Sequence, residues 1–197
     1  GASSGIGRST CIAISKMGGK VIATARNKER LEETCHMLQG EGHIPLIADL
    51  TIKEERQKIL ENLEKIQGVI HSAGICKLVP FKFYNEQNFR EHSLLNYEVP
   101  VFFTQELYKA KKVEDGSSII FIASIASLIG KKGNGIYSGS KGALVSITRV
   151  LAVELAPKKI RVNCISPGMV ETPILKTTGA SEEENREHMN QYPLGPG

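Results

Sequence analysis

The sequence contains no apolar stretch long enough to cross a membrane, no C-x-x-C pair, no block of like charge and no internal repeat. Each absence removes a class of function. The apolar runs stay far below the roughly 20 residues that a membrane helix needs; no signal peptide is visible, but the first residue looks internal, so that absence excludes nothing. The four cysteines, Cys11, Cys35, Cys76 and Cys164, are scattered, and none has a histidine at ligand spacing. We expect reduced thiols in a cytoplasmic protein, with neither a disulfide frame nor a metal site. The 25 basic and 21 acidic residues leave a net charge of +4 and are interspersed. That argues against a nucleic-acid-binding stripe or an acidic tail.

What remains is a chain of 197 residues with ordinary apolar content, enough for one domain with its own core. It opens on a glycine-rich turn, Gly1-Ala2-Ser3-Ser4-Gly5-Ile6-Gly7, predicted to run into a helix from Ile6 to Met17 that Gly18-Gly19 stops. Glycines let a backbone approach a phosphate, and a helix N-terminus offers free N–H groups and a positive dipole end. The spacing is G-x-x-x-G-x-G rather than the commoner G-x-G-x-x-G. A strand is predicted over Lys20–Ala25, a polar helix over Lys28–Leu38 and a strand over His43–Ala48 closed by Asp49-Leu50. Thr51 is the expected cap of a helix over Lys53–Lys65, with Glu54 three residues on. Gly68 to Gly74 reads as a strand and a small-residue turn. Short links between alternating strands and helices predict an α/β fold, a doubly wound parallel sheet of the Rossmann type in a single domain over residues 1–197. No strand precedes the glycine turn and no final element follows Leu194-Gly195-Pro196-Gly197. The natural protein is therefore expected to be longer, with its first strand and C-terminal elements outside this sequence.

Phe89 to Lys111 reads as one long helix with Pro100 inside it. Proline cannot donate to the carbonyl four residues back, that of Asn96. A kink at 96–100 is predicted, and with it a freed carbonyl that holds a water toward Lys141. A kink without purpose is the competing reading. The most telling stretch runs from Ser124 to Lys141. Ser124 ends the apolar run Ile119–Ala123, where open α/β sheets bind their ligands. Thirteen positions later comes Tyr137, and Lys141 lies one helical turn further on. A phenol beside an ammonium is expected to have a lowered pKa and to serve as an acid/base. Its helix is predicted to run to Ala156. Ile160–Ile165 reads as a further strand, turned by Ser166-Pro167-Gly168. The polar, glutamate-rich tail from Gly179 to Tyr192 reads as a mobile flap or helix over a pocket, with a plain solvated loop as the alternative. Arg26 follows the first predicted strand with no adjacent acid, which suits a 2′-phosphate and so NADP(H). A solvated arginine is the alternative.

Together these pieces resemble the short-chain dehydrogenase/reductases, and among them the 3-oxoacyl-(acyl-carrier-protein) reductase-like branch, over nearly the whole chain. The resemblance implies hydride transfer between NADP(H) and a carbonyl or secondary alcohol, with 3-oxoacyl thioesters as one substrate class. It implies a catalytic group of Asn96, Ser124, Tyr137 and Lys141. It implies cofactor contacts from Gly1, Ser3, Ser4, Gly5, Ile6, Gly7, Arg26, Asp49, Leu50, Ala73, Gly74, Tyr137, Lys141, Pro167, Gly168, Val170 and Thr172, with Asp49 against the adenine. A homotetramer or homodimer follows from the same likeness and from apolar or small surface on the two long helices. The chain departs from the family where His71-Ser72-Ala73-Gly74 stands in place of Asn-Asn-Ala-Gly. The asparagine side-chain contacts are thereby lost, and His71 is not expected to be a catalyst. Two readings of other classes remain: a non-catalytic NADP-binding redox-sensing or regulatory protein, and a structural subunit of a larger complex.

Overall fold

The computed structural model describes residues 1–190, so the last part of the predicted tail, residues 191 and 192, and the closing Leu194–Gly197 lie outside the described residues. The chain divides into two compact units, residues 1–64 and residues 65 onward.

The first unit runs α1 (Gly5–Lys16), β1 (Ile22–Ala25), α2 (Lys28–His36), β2 (Ile44–Ile47) and α3 (Lys53–Asn62). β1 and β2 pair in parallel, with Ile22 opposite Ile44 and Ala25 opposite Ile47. Its core gathers Ala2, Cys11, Val21, Ala23, Ala25 and Leu31, with Ile14, Cys35 and Leu38 packed against them. The predicted stop after α1 is present. Gly18 adopts φ 83°, its N–H bonds the Ser15 carbonyl and the Gly19 N–H bonds that of Ile14. These are the two bonds of a Schellman motif, which needs a residue that tolerates the left-handed region. The expected cap of α3 by Thr51 is corrected: the N-cap is Ile52 and makes no side-chain cap bond. Thr51 is taken by the turn before it, where its N–H and its hydroxyl both donate to Asp49 Oδ1 at 2.9 and 2.7 Å. Asp side chains favour this local turn over a helix start. Glu55 rather than Glu54 reaches back, accepting from the Asp49 N–H at 2.6 Å.

The second unit carries β3 (Ile66–His71), α4 (Glu86–Ser93), α5 (Val99–Lys109), β4 (Val113–Ile122), α6 (Gly135–Leu155), β5 (Arg161–Ile165) and α7 (Glu182–Met189). Its sheet is parallel with the order β3-β4-β5. β4 is its central strand, and Ile119 and Phe121 on it are fully buried. The helices bury regular stripes: Val99, Pro100, Phe103, Thr104 and Leu107 on α5, and Ser140, Lys141, Leu144 and Thr148 on α6. The α/β alternation with parallel strands is as the sequence predicts, with the hydrogen-bonded ladder divided into one sheet per unit.

The single helix expected over 89–111 is three segments. Between α4 and α5 lies a π-helical turn, Leu94–Glu98, in which the Val99 N–H bonds the Leu94 carbonyl five residues back. The extra residue shifts the ladder so that Pro100 falls in the first turn of α5, where no donor is required. The expected kink therefore takes the form of a π turn, with Asn96 at its centre.

Candidate active site

α6 begins two residues before Tyr137, so the phenol stands in its first turn and Lys141 one turn on. Ser124 follows the buried end of β4 in extended conformation, and its hydroxyl accepts the N–H of Ala126 at 3.2 Å. It also lies near enough to the Tyr137 phenol to favour its ionised form. The Lys141 ammonium donates to the Ile122 carbonyl at 2.8 Å and lies 5.8 Å from the Tyr137 ring centroid. Three of the four expected catalytic side chains are thus brought together by β4 and α6.

The fourth, Asn96, is fully buried. Its side chain clamps the residue after Gly74 from both sides: Oδ1 accepts the Ile75 N–H at 2.9 Å and Nδ2 donates to the Ile75 carbonyl at 3.0 Å. Nδ2 also reaches the Ser140 hydroxyl at 3.1 Å, and Ser140 donates to the Tyr137 carbonyl at 2.7 Å. A Cβ on Gly74 would come within 3.0 Å of Asn96 Oδ1 and 3.4 Å of Lys141 Nζ. A side chain here would crowd both, so glycine lets the loop after β3 lie close to them. Asn96 on the π turn is therefore tied to the Tyr137 helix through Ser140, a residue the sequence reading passed over. One turn before Asn96, His92 Nε2 accepts the Lys77 N–H at 3.2 Å and fixes the same loop. These contacts span 15 to 44 residues, so no local motif announces them.

The electrostatics differ from expectation in one respect. Burial pushes the Tyr137 pKa up to about 12, with Cys76 acting in the same direction, and the nearby Ser124 hydroxyl offsets this only in part. The expected lowering is overturned: desolvation of the phenolate dominates, and Lys141 is not among the groups that offset it. Burial also pushes Lys141 down, to about 8. Tyr137 is thus a neutral phenol near pH 7, in the form that can give a proton. Cys76 is held as a neutral thiol, raised by burial to about 11. All four cysteines are free.

His71 is not part of this cluster. Its Nε2 lies 2.8 Å from the Thr104 hydroxyl, which spends its proton on the Pro100 carbonyl at 2.7 Å, so His71 is the donor there. It stacks on Phe121 at 5.1 Å, and burial holds its pKa down at about 3. It serves as a neutral pin between β3 and α5. The turn after β5 is anchored beside Ser124, because the Pro167 carbonyl accepts the Ile125 N–H at 3.0 Å. Thr172 Oγ1 bonds the Val170 carbonyl. The buried Asn134 Oδ1 at the start of α6 has no partner among the described residues.

In the first unit the residues present fit a dinucleotide. α1 starts at Gly5, with φ 51°, and has no side-chain cap and no acid in its first turn. Its N–H groups are therefore left for an anion. Asp49 binds Thr51, and its Oδ2 lies 3.6 Å from Arg26 Nη1. Burial works against the Asp49 carboxylate, but the Thr51 bonds and the Arg26 charge prevail and hold its pKa below the usual range. The expectation that no acid competes for Arg26 is corrected: β1 and β2 bring Asp49 to it from 23 residues away. With the Arg26 side chain 67% exposed, the pair is weak and readily exchanged. Leu50 contributes its carbonyl to the Arg56 guanidinium.

A family model described as short chain dehydrogenase matches residues 1–183. The chain is 32% identical over 190 residues to carbonyl reductase family member 4 of Danio rerio, covering 93% of this chain and 78% of that protein. It is 28% identical over 201 residues to a 3-oxoacyl-(acyl-carrier-protein) reductase of Thermotoga maritima, covering 99% and 81%. A crystal structure of a short-chain dehydrogenase/reductase from Caenorhabditis elegans with cofactor superposes with a TM-score of 0.83 at 27% identity, over 96% of this chain and 75% of that one.

Proposed function

The chain belongs to the short-chain dehydrogenase family, and from that premise we propose an NADP(H)-dependent reductase that acts on a carbonyl, with 3-oxoacyl thioesters as the first substrate class to test. The observation that carries the reaction is the Lys141 ammonium 5.8 Å from the Tyr137 ring centroid, tied to the end of β4 that presents Ser124. Arg26 at the end of β1 supports NADP(H) over NAD(H).

When bound, the cofactor supplies the hydride that reduces the carbonyl carbon. Ser124 donates a hydrogen bond to the carbonyl oxygen. Tyr137, kept neutral by burial, gives its proton to that oxygen as it becomes an alcohol. Lys141 holds the ribose hydroxyls next to the phenol. Asn96 fixes Ile75, and thereby Gly74, against the ammonium. Its backbone carbonyl is assigned the water that resupplies the proton. In the first unit the uncapped α1 end, with Gly1, Ser3, Ser4, Gly5, Ile6 and Gly7, takes the pyrophosphate. Arg26 takes the 2′-phosphate, and Asp49 and Leu50 border the adenine. In the second unit Ala73, Gly74, Pro167, Gly168, Val170 and Thr172 border the nicotinamide half. We assign the enzyme to the cytoplasm, supported by its free cysteines.

The test is an NADPH-oxidation screen over 3-oxoacyl thioesters, quinones, steroids and keto-sugars, with Tyr137→Phe as the control. That variant should fold and bind NADPH while kcat drops by about 10²–10⁴, the usual worth of a positioned acid. Retention of more than about a tenth of kcat overturns the role of Tyr137. Cofactor binding without turnover on any carbonyl would favour a regulatory protein.

A further inference from the structure

Two polar side chains in the first unit take no part in the chemistry, yet both are spent on the backbone of the glycine turn. Thr34, fully buried on α2, donates to the Ala2 carbonyl at 3.0 Å and shares that proton with the Arg30 carbonyl at 3.0 Å. Arg8 on α1 crosses to the same place. Its Nε donates to Thr34 Oγ1 at 2.9 Å and its Nη2 to the Ser3 carbonyl at 2.9 Å. Nη2 also reaches the Arg30 carbonyl at 3.1 Å and Glu33 Oε2 at 3.0 Å. The Ala2 N–H is meanwhile bound to the Thr24 carbonyl on β1 at 3.1 Å.

The consequence follows from peptide planarity. The carbonyl of Ala2 and the N–H of Ser3 belong to one trans peptide, so they point in opposite directions. The same holds for the Ser3 carbonyl and the Ser4 N–H. Holding both carbonyls toward α2 therefore turns the Ser3 and Ser4 N–H groups away from it. Among the described residues neither N–H finds a partner. A carbonyl turned the other way would present negative charge to a bound phosphate, and the loop would have to pay to reverse it.

We propose that Thr34 and Arg8 are positioning residues for the dinucleotide, fixing the Ala2 and Ser3 carbonyls so that the Ser3 and Ser4 N–H groups are set for its pyrophosphate before it arrives. The proposal rests on the cofactor reading above. It also gives the loop a link to α2, the helix that starts just after Arg26, so that the phosphate-binding turn and the 2′-phosphate reader share one support.

The test is equilibrium binding of NADPH and of NADH to the purified protein, read by nicotinamide fluorescence, with hydrogen exchange of residues 2–7 measured without cofactor. Thr34→Val keeps the shape and removes the hydroxyl. It should raise Kd for both dinucleotides by a common factor of about ten, the loss of a bond that sets charge-assisted contacts, and speed exchange in the turn. Thr34→Ser should restore both. Arg26→Ala, by contrast, should weaken NADPH alone. A folded Thr34→Val protein with a lowered melting temperature and wild-type Kd values would show a merely structural role and overturn the proposal. If Thr34→Val does not fold, Arg8→Met decides by the same two readouts. Wild-type protein that binds neither dinucleotide overturns the cofactor reading beneath; wild-type binding with unchanged variants overturns only the positioning role.

Discussion

Tyr137 and Lys141 are governed by burial more than by each other. With Tyr137 at about 12 and Lys141 at about 8, the group that titrates in the working range is the lysine. As pH rises through about 8 its ammonium is lost, and kcat/KM for reduction, which reports the free enzyme, should fall there while the phenol stays protonated. The effect on stability has the opposite sign. The folded pKa lies below the ordinary 10.5, so between about 8 and that value the unfolded chain holds the extra proton and Lys141's contribution to stability rises with pH. A reduction profile that stays level through pH 9.5 would show that the charge on Lys141 is not needed. The tyrosine-lysine pair itself was legible, because a four-residue spacing fixes a shared helix face. The sign of the tyrosine shift was not, because it depends on how much water the fold excludes.

In the proposed reading cofactor choice turns on Arg26, and its pairing with the Asp49 carboxylate sharpens the expectation. A 2′-phosphate offers two charge-assisted bonds and displaces a solvated pair at 3.6 Å. Arg26→Ala should raise KM for NADPH by about one to two orders of magnitude, matching the ~1.5–3 kcal/mol of a charged hydrogen bond, and leave KM for NADH nearly unchanged. Equal losses for both would remove the assignment. Asp49→Asn adds a signed check: a loss at the adenine falls on both dinucleotides alike, so with the competitor of Arg26 neutral the ratio of NADPH to NADH affinity should not fall. Adjacent sequence showed the arginine. Its acidic neighbour required the parallel register of β1 and β2.

At the scale of elements, the sequence announced the strands and the longer helices up to β5, but it read α4, the π turn and α5 as one helix, missed the short turns Phe81–Phe83 and Ile125–Ser127, and began β4 at Ile119 where the strand starts at Val113. Glycine stops, capping asparagines and apolar runs are local signals. Asn27 and Asn85 cap α2 and α4, local signals that the sequence reading passed over. The π turn was legible only as a disturbance at Pro100, because proline states that a donor is missing and not how the ladder will adapt. Pro100→Ala restores the donor. If the turn persists because Asn96 is held by Ile75 and Ser140, kcat should hold and stability should change little. If the turn relaxes to a regular helix, Asn96 rotates off Ile75, and kcat should fall with KM for NADPH unchanged. A drop in kcat of threefold or more, with cofactor affinity intact, would place the π turn in the proton path; unchanged kcat would remove it. The clamp of Asn96, His92 and Ser140 had no local signature at all.

For the whole molecule the open question is assembly. α5 and α6 bury one face each in the second unit, and their other faces keep large apolar side chains in water: Phe102 at 49% exposure on α5, and Val150 and Val153 at 48% and 75% on α6. Val150 and Val153 are one turn apart, so they form a ridge rather than isolated contacts. At about 25 cal/mol per Å², covering such a ridge with its own copy is favourable, and identical chains most often do so about a two-fold axis. We therefore expect a homodimer, or a homotetramer built from it. Two-fold packing doubles the effect of any change in the ridge. Val153→Glu places like charges against each other in an apolar setting, so it should shift the mass by light scattering to the monomer with no loss of circular dichroism. A wild-type chain that runs as a monomer at micromolar concentration would leave these valines as plain exposed residues. An oligomer insensitive to Val153→Glu would move the contact off α6.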